Sequence, residues 1–189
     1  MADPEPKGGM IHDIVEWGNK NGAKIAEAYS FNGGWEGWVQ VELAMAMKKA
    51  FSHDFPGYGI TVTREDVVYD NKQRSDLLIS TSKAGQHFTN MLELKCETSR
   101  VGGASAFRTA VAADCDKVNK GQITAMKYLP CKAWVIAFSV TKDLKDLKVE
   151  GVNLQAYPKR IDAKPITITL YYGVKYFRLP KPDSDDEIM

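Results

Sequence analysis

The chain of 189 residues lacks several features that would place a protein in a functional class at once. No apolar run approaches the roughly 18 residues that a membrane helix requires, so we expect no membrane association. Its three cysteines share no short metal-ligand spacing and are odd in number, which favours a reduced, intracellular setting over a disulfide scaffold. Its three histidines are scattered and form no spaced ligand set.

The sequence also lacks a strong charge of one sign and a classical leader. The formal net charge is only +1, which neither favours nor excludes a nucleic-acid partner, because a basic face can exist within a neutral total. The start, MADPEPKGGM, has no basic segment followed by an apolar one, as a signal peptide would. We therefore expect an intracellular protein, cytoplasmic or nuclear. Delivery as a toxin or effector by another route is compatible with this start.

What is present is the composition of a globular domain, with 44% hydrophobic and 26% charged residues. The length permits a sizeable core, and we see no linker that would divide it, so we predict one domain over residues 10–180. Residues 1–9 are rich in proline and glycine and are expected to be disordered. The end of the chain, residues 181–189, is predicted to be an acidic tail.

Hydrophobic periodicity divides this domain into helices and strands. Apolar spacings of three and four residues indicate helices, and period-two alternation of β-branched residues indicates strands. The predicted helices cover residues 10–29, 35–51 and 104–129, and the predicted strands cover residues 59–70, 74–80, 87–97, 132–140 and 166–173, followed by a short strand in KYFRL. This order predicts an α/β fold in which helices flank a mixed central sheet.

The stretch MLELKCE, residues 91–97, places charged residues within an otherwise apolar strand. Side chains alternate across a strand, so Leu92 and Leu94 are predicted to face the core with Cys96, while Glu93 and Lys95 face the other way. Burying such charges is costly unless they are paired, bind a metal or line a cleft. The alternation therefore marks Glu93 and Lys95 as candidates for a site.

Asp76, in the strand RSDLLIS, is predicted to share that face. The short loop TSKAGQ indicates an antiparallel pair of strands, and a turn centred near Lys83 and Ala84 places Asp76 opposite Met91 and diagonal to Glu93. Such neighbours lie roughly 5 to 8 Å apart. Two carboxylates at that separation can share a divalent cation, for which we expect Mg²⁺ or Mn²⁺.

This arrangement suits the hydrolysis of phosphodiester bonds. A divalent cation polarises the phosphate and generates hydroxide from water at neutral pH. Lys95 lies two residues beyond Glu93 and points to the same face, where it can orient or deprotonate the attacking water, or neutralise charge that develops on the phosphate.

Asp76, sixteen intervening residues and then Glu93-Leu94-Lys95 resemble the signature of the PD-(D/E)XK nucleases, which have the restriction-endonuclease-like fold. The resemblance extends to the predicted order of elements over residues 30–140. It implies an αβββαβ core and a Mg²⁺-dependent nuclease, an endonuclease that acts on nucleic acid, with DNA favoured over RNA. It also implies that Asp76 and Glu93 are metal ligands, that the Cys96 carbonyl is a third ligand, and that Lys95 is the catalytic lysine. Ser75 replaces the proline of the signature.

The family often places a further glutamate on the helix before the sheet. Glu42 is preferred for this role, because it sits deeper in the predicted helix, and Glu36 together with Gln40 is the alternative. Some family members also use a lysine or glutamine on the helix after the catalytic strand. That helix carries Asp116, Lys117, Lys120 and Gln122, for which a solvated face is the favoured interpretation and Gln122 a candidate supporting residue.

Two other functions compete with the nuclease. The same fold can persist as an inactive module that binds nucleic acid or a protein partner, although the intact triad argues against this. A thiol hydrolase assembled from Cys96 or Cys115 with His87 is the other reading, but Cys96 is predicted to alternate into the core. A homodimer is compatible with the sequence.

Overall fold

The structure is a computed structural model that describes residues 9–31, 34–99, 103–141, 144, 147 and 151–179. Of the segment 1–9 that is predicted to be disordered, residues 1–8 lie outside the described residues, and so does the predicted acidic tail at 181–189. Gly9 is described, directly before the first helix.

Within the described residues, seven strands form a mixed sheet in the order β1-β2-β3-β4-β7-β5, and β6 pairs with β7. The strands are β1 (Gly59–Val67), β2 (Arg74–Lys83), β3 (Gln86–Cys96), β4 (Cys131–Ser139), β5 (Gln155–Ala156), β6 (Ile161–Ala163) and β7 (Ile166–Phe177). β3 and β4 are parallel, and the other pairs are antiparallel. The predicted α/β fold with helices around a mixed sheet is confirmed.

Helices cover both faces of the sheet. They are α1 (Met10–Lys20), α2 (Gly22–Ser30), α3 (Glu36–Asp54) and α4 (Gly103–Lys120), with a short 3₁₀ helix at Met126–Tyr128. On one face, α3 buries Val39, Leu43, Met47 and Phe51 at helical spacing. On the other, α4 buries Phe107, Val111, Cys115 and Val118. Every residue of β4 is buried, as expected for a strand covered from both sides.

One predicted helix is divided into two in the structure and another is shorter, and a glycine lies at the point of each difference. The helix predicted over 10–29 breaks at Asn21. Gly22 begins α2 there, and a Cβ added at Gly22 would lie 2.1 Å from the Asp162 carbonyl oxygen. The helix predicted over 104–129 ends at Lys120. The aromatic ring of Tyr69 lies where a side chain at Gly121 would be, 2.5 Å from an ideal Cβ. Both contacts come from distant parts of the chain, so local periodicity did not reveal them.

The register of β2 and β3 differs from the prediction by two residues. The turn is at Ala84–Gly85, both with positive φ, as a two-residue hairpin of this type requires. Leu77 therefore pairs with Leu92, and extending this register by one residue puts Asp76 directly opposite Glu93, rather than opposite Met91.

We predict that Gly22→Ala lowers the free energy of unfolding by about 1 to 3 kcal/mol, because its Cβ would lie 2.1 Å from the Asp162 carbonyl oxygen. The matched control is Gly37→Ala in α3, where nothing lies within 4 Å and alanine should stabilise the helix slightly. Urea denaturation of the two variants measures the difference. Equal stability would contradict the close packing of α2 against β6.

Candidate active site

The candidate site lies where the ladder of the sheet is interrupted at Asp76. The β1–β2 pairing skips Glu65–Asp76, and the β2–β3 pairing stops at Leu77–Leu92. Glu65 has a φ of 57°, which lies in the left-handed region that non-glycine residues rarely adopt. The Asp76 side chain is therefore beside backbone groups of β3 that β2 does not pair.

Asp76 is anchored to β3 through one of these groups. Its Oδ2 accepts a hydrogen bond of 2.6 Å from the Leu94 backbone N–H. This bond, together with the register, brings the carboxylates of Asp76 and Glu93 to neighbouring positions on the α4 face of the sheet. The structure thus brings together the Asp, Glu and Lys positions that the sequence singled out.

Glu93 is buried, with 1% of its surface exposed, and both of its carboxylate oxygens have partners. The Tyr69 hydroxyl donates to Oε1 at 3.1 Å. The Lys117 ammonium lies 2.6 Å from Oε2. Burial raises the pKa of Glu93 to about 8, against the opposing influence of Lys117, and the neighbouring Asp76 adds to the rise. The Glu93 carboxylate is therefore costly to ionise in this site.

Lys95 lies in a cage of oxygen atoms. Its Nζ is 2.9 Å from Glu36 Oε1, 3.5 Å from Asp114 Oδ2 and 3.3 Å from the Leu94 carbonyl oxygen. Burial alone would lower the pKa of Lys95, but Asp114 and Glu36 outweigh it and raise that pKa. Lys95 is therefore an ammonium ion at neutral pH.

Asp114, on α4, is the least satisfied member of the cluster. Its Oδ2 is buried and accepts no hydrogen bond from any described residue, and its contact with Lys95 at 3.5 Å is an ion pair. Burial raises the pKa of Asp114 to about 6. A buried carboxylate oxygen without a donor is uncommon in proteins, and it marks a place where a cation or water would be stabilised.

The cluster carries more negative than positive charge when all its groups are ionised. Four carboxylates face two ammonium groups, which leaves a formal charge of −2. The carboxylates belong to Glu36, Asp76, Glu93 and Asp114, and the ammonium groups belong to Lys95 and Lys117. Among the described residues, no three His, Cys, Asp or Glu side chains form a ready metal-ligand group. Mg²⁺ needs only one or two carboxylates besides carbonyl oxygens and water, so this donor set fits it.

Of the two glutamates considered on α3, the structure brings Glu36 into the cluster. Its Oε2 also accepts the Cys96 backbone N–H at 3.2 Å. Among the described contacts, none joins Glu42 to Asp76, Glu93 or Lys95. Glu42 lies almost two helical turns further along α3. The preference for Glu42 is therefore not supported by the geometry.

The other supporting candidates lie outside the cluster. Gln40 is buried and accepts a hydrogen bond of 2.8 Å from Arg64 in β1. Gln122 is exposed, and its backbone carbonyl accepts the Asp70 N–H. Both positions serve contacts between elements, and neither side chain is described in contact with the Asp76–Glu93 pair.

Three residues that complete the cluster were not assigned to the site from the sequence. Tyr69 and Asp114 were not singled out, and Lys117 was not expected to face the site. Lys117 was interpreted as part of a solvated face, yet its side chain is only 17% exposed. Asp114 and Lys117 are three residues apart, a spacing that puts both on one side of a helix, and this was the available signal. Tyr69 gave no local signal, because the β1–β2 connection positions it.

The cysteines do not support a thiol hydrolase. Cys96, Cys115 and Cys131 are all buried, and burial raises the pKa of each thiol. His87 is engaged elsewhere, with its Nε2 2.9 Å from the Met126 carbonyl oxygen.

Comparison with known proteins gave no match: no family model fits the chain, and no curated protein or solved structure shows significant similarity to it. Within the described part of the chain, none of the helices has the length and apolar character needed to cross a membrane.

We predict that, in the presence of a chelator, the protein loses stability as the pH rises from about 6 to about 8.5. Glu93 has a higher pKa folded than unfolded, so the folded state binds its proton more tightly and this contribution is lost as pH rises toward about 8. The expected loss is of the order of 2 kcal/mol, measured by urea denaturation at several pH values.

Glu93→Gln should flatten this pH dependence, whereas Asp116→Asn, at an exposed position of the same helix α4 that carries Lys117, should leave it unchanged. Parallel curves for the wild type and Glu93→Gln would show that Glu93 is not the titrating group.

Proposed function

We propose that this protein is a metal-dependent nuclease with a restriction-endonuclease-like core, which hydrolyses phosphodiester bonds in nucleic acid. The observation that carries the proposal is the position of Asp76 opposite Glu93 when the β2–β3 register is extended by one residue, with Lys95 two residues further along β3 on the same side. The αβββαβ order of the proposed core corresponds to α3, β1, β2, β3, α4 and β4.

Asp76 and Glu93 are the proposed carboxylate ligands of Mg²⁺ or Mn²⁺. Leu94 is better placed than Cys96 to add a carbonyl, since its N–H binds Asp76 and its carbonyl oxygen contacts Lys95. The Asp114 oxygen that accepts no hydrogen bond from the described residues, and the excess of carboxyl groups over ammonium groups in the cluster, support a divalent cation. When bound, such a cation polarises the phosphate and lowers the pKa of its bound water.

Lys95 is proposed to act as a fixed positive charge. Because Asp114 and Glu36 raise its pKa, it stays protonated and can donate hydrogen bonds to a water or a phosphate oxygen. This favours orientation of the attacking water and charge neutralisation over deprotonation of that water. Glu36 holds the ammonium in place and also accepts the Cys96 N–H.

The resemblance to the PD-(D/E)XK nucleases favours DNA over RNA as the proposed substrate. Lys72 and Arg74 are exposed in and beside the β1–β2 connection, whose Arg74 carbonyl contacts Lys117. Basic side chains at the rim of a site bind phosphates without reading sequence. These residues support a nuclease that binds the sugar-phosphate backbone of its substrate.

An inactive binding module is the second candidate. It is favoured by the ion pairs of Lys95 and Lys117, which partly neutralise the acidic cluster from within. Under this alternative the cluster would be structural, and nucleic acid would bind without being cut.

Purified protein with Mg²⁺ or Mn²⁺ should cut DNA, and Asp76→Ala or Lys95→Ala should lower the rate by about a hundredfold or more. A fluorescent DNA panel (single-stranded, duplex and branched), with RNA and with EDTA controls, measures this. The matched control is Asp116→Ala on α4, where the side chain pairs with Lys120 at the surface. Equal rates for the wild type and both site variants would reject the catalytic claim, and binding without cleavage would favour the module.

Glu36→Gln should lower the cleavage rate about tenfold or more, because it weakens the bond that holds Lys95. Glu42→Gln, on the same helix, should cleave at the wild-type rate. The same assay compares the two variants, and circular dichroism confirms that both are folded. If only Glu42→Gln lost cleavage activity, Glu42 rather than Glu36 would be the further glutamate of the site, as the sequence analysis preferred.

A further inference from the structure

Lys117 places a positive charge at the carboxylate that the proposed metal ion would use. Its Nζ lies 2.6 Å from Glu93 Oε2, 2.5 Å from the Arg74 carbonyl oxygen and 5.5 Å from the centre of the Tyr69 ring. A carboxylate, a carbonyl oxygen and the face of an aromatic ring all attract cations. Lys117 thus sits in a small cation-binding environment built by three different elements of the chain.

Glu93 has little freedom to serve two cations at once. It lies in β3 and is almost wholly buried, and Tyr69 and Lys117 each take one of its oxygens. A divalent cation on this carboxylate would lie within a few ångströms of the Lys117 ammonium. Like charges at such a distance repel strongly in a partly buried site.

We propose that Lys117 is a positioning residue that holds the Glu93 carboxylate until a divalent cation binds, and that cation binding breaks the Lys117–Glu93 ion pair. The inference rests on the proposed function, because it takes Glu93 as a metal ligand. Lysine suits this role, since it is a compact charge on a flexible stem that can turn to a new partner. The released ammonium remains at the site, where a substrate phosphate offers that partner.

Amine acetylation followed by mass spectrometry tests this in the wild-type protein at about pH 8.5, where lysines react measurably. When a chelator is present, the Lys117 amine should be acetylated more slowly than the amine of Lys120, whose side chain is 72% exposed on the same helix. Saturating Mg²⁺ should raise the Lys117 rate several-fold and leave the Lys120 rate unchanged. Asp76→Asn, which removes the second proposed ligand, should abolish the increase.

Calorimetric titration gives an independent readout. Because Lys117 also lowers the pKa of Glu93, the titration is done at a pH high enough to ionise Glu93 in both proteins. There, Lys117→Met should bind Mg²⁺ with a Kd about tenfold lower than the wild type, because the competing charge is gone. Lys117→Arg, which keeps the charge, and Lys120→Met, which removes a charge away from Glu93, should both bind like the wild type. An unchanged or higher Kd in a folded Lys117→Met variant would mean that Lys117 merely supports Glu93 and would overturn the inference.

The results also separate this inference from the proposed function. Mg²⁺ that binds through Asp76 while the acetylation rate of Lys117 stays constant would overturn the inference alone. Failure of the wild type to bind Mg²⁺ or Mn²⁺ would overturn both the inference and the proposed metal site. The acetylation arm needs no Lys117 variant, so it decides the question even if Lys117→Met does not fold.

Discussion

The site depends on one costly feature, the buried carboxylate of Glu93 on the central strand β3. Placing a carboxylate there requires donors and opposite charge, and the fold supplies both from Tyr69 and Lys117. Tyr69 belongs to the β1–β2 connection and Lys117 to α4. The two elements are in contact, because the ring of Tyr69 packs against Gly121 at the end of α4. The close approach of the β1–β2 connection to α4 therefore brings both partners to the Glu93 carboxylate.

The rest of the cluster follows from the interruption of the sheet. Because the ladder is broken at Asp76, backbone groups of Leu94 and Cys96 become available to side chains, and Asp76 and Glu36 take one N–H each. α3 and α4 lie on opposite faces of the sheet, yet both reach Lys95 at this opening, through Glu36 and Asp114. The cluster contains more carboxyl groups than ammonium groups in a partly buried position, and this excess is the physical basis of the proposed cation site.

The central residues of the candidate site could be predicted from the sequence, because the alternation of side chains along a strand is a local property. It placed Glu93 and Lys95 on one face and identified Asp76 as their partner. The register was wrong by two residues, since moving a turn centre by one position shifts the pairing by two, and Ala84 gave no strong turn signal. The choice between Glu36 and Glu42 could not be made, and Tyr69 and Asp114 could not be assigned, because their places depend on how helices and the β1–β2 connection pack.

The central claim is that Asp76 and Glu93 together bind a divalent cation. A crystal of the protein soaked in Mn²⁺ and measured for anomalous scattering tests it most directly. The account predicts one strong anomalous peak between the two carboxylates, within coordination distance of both. A peak elsewhere, or none with Mn²⁺ in large excess and the crystal lattice intact, would contradict it.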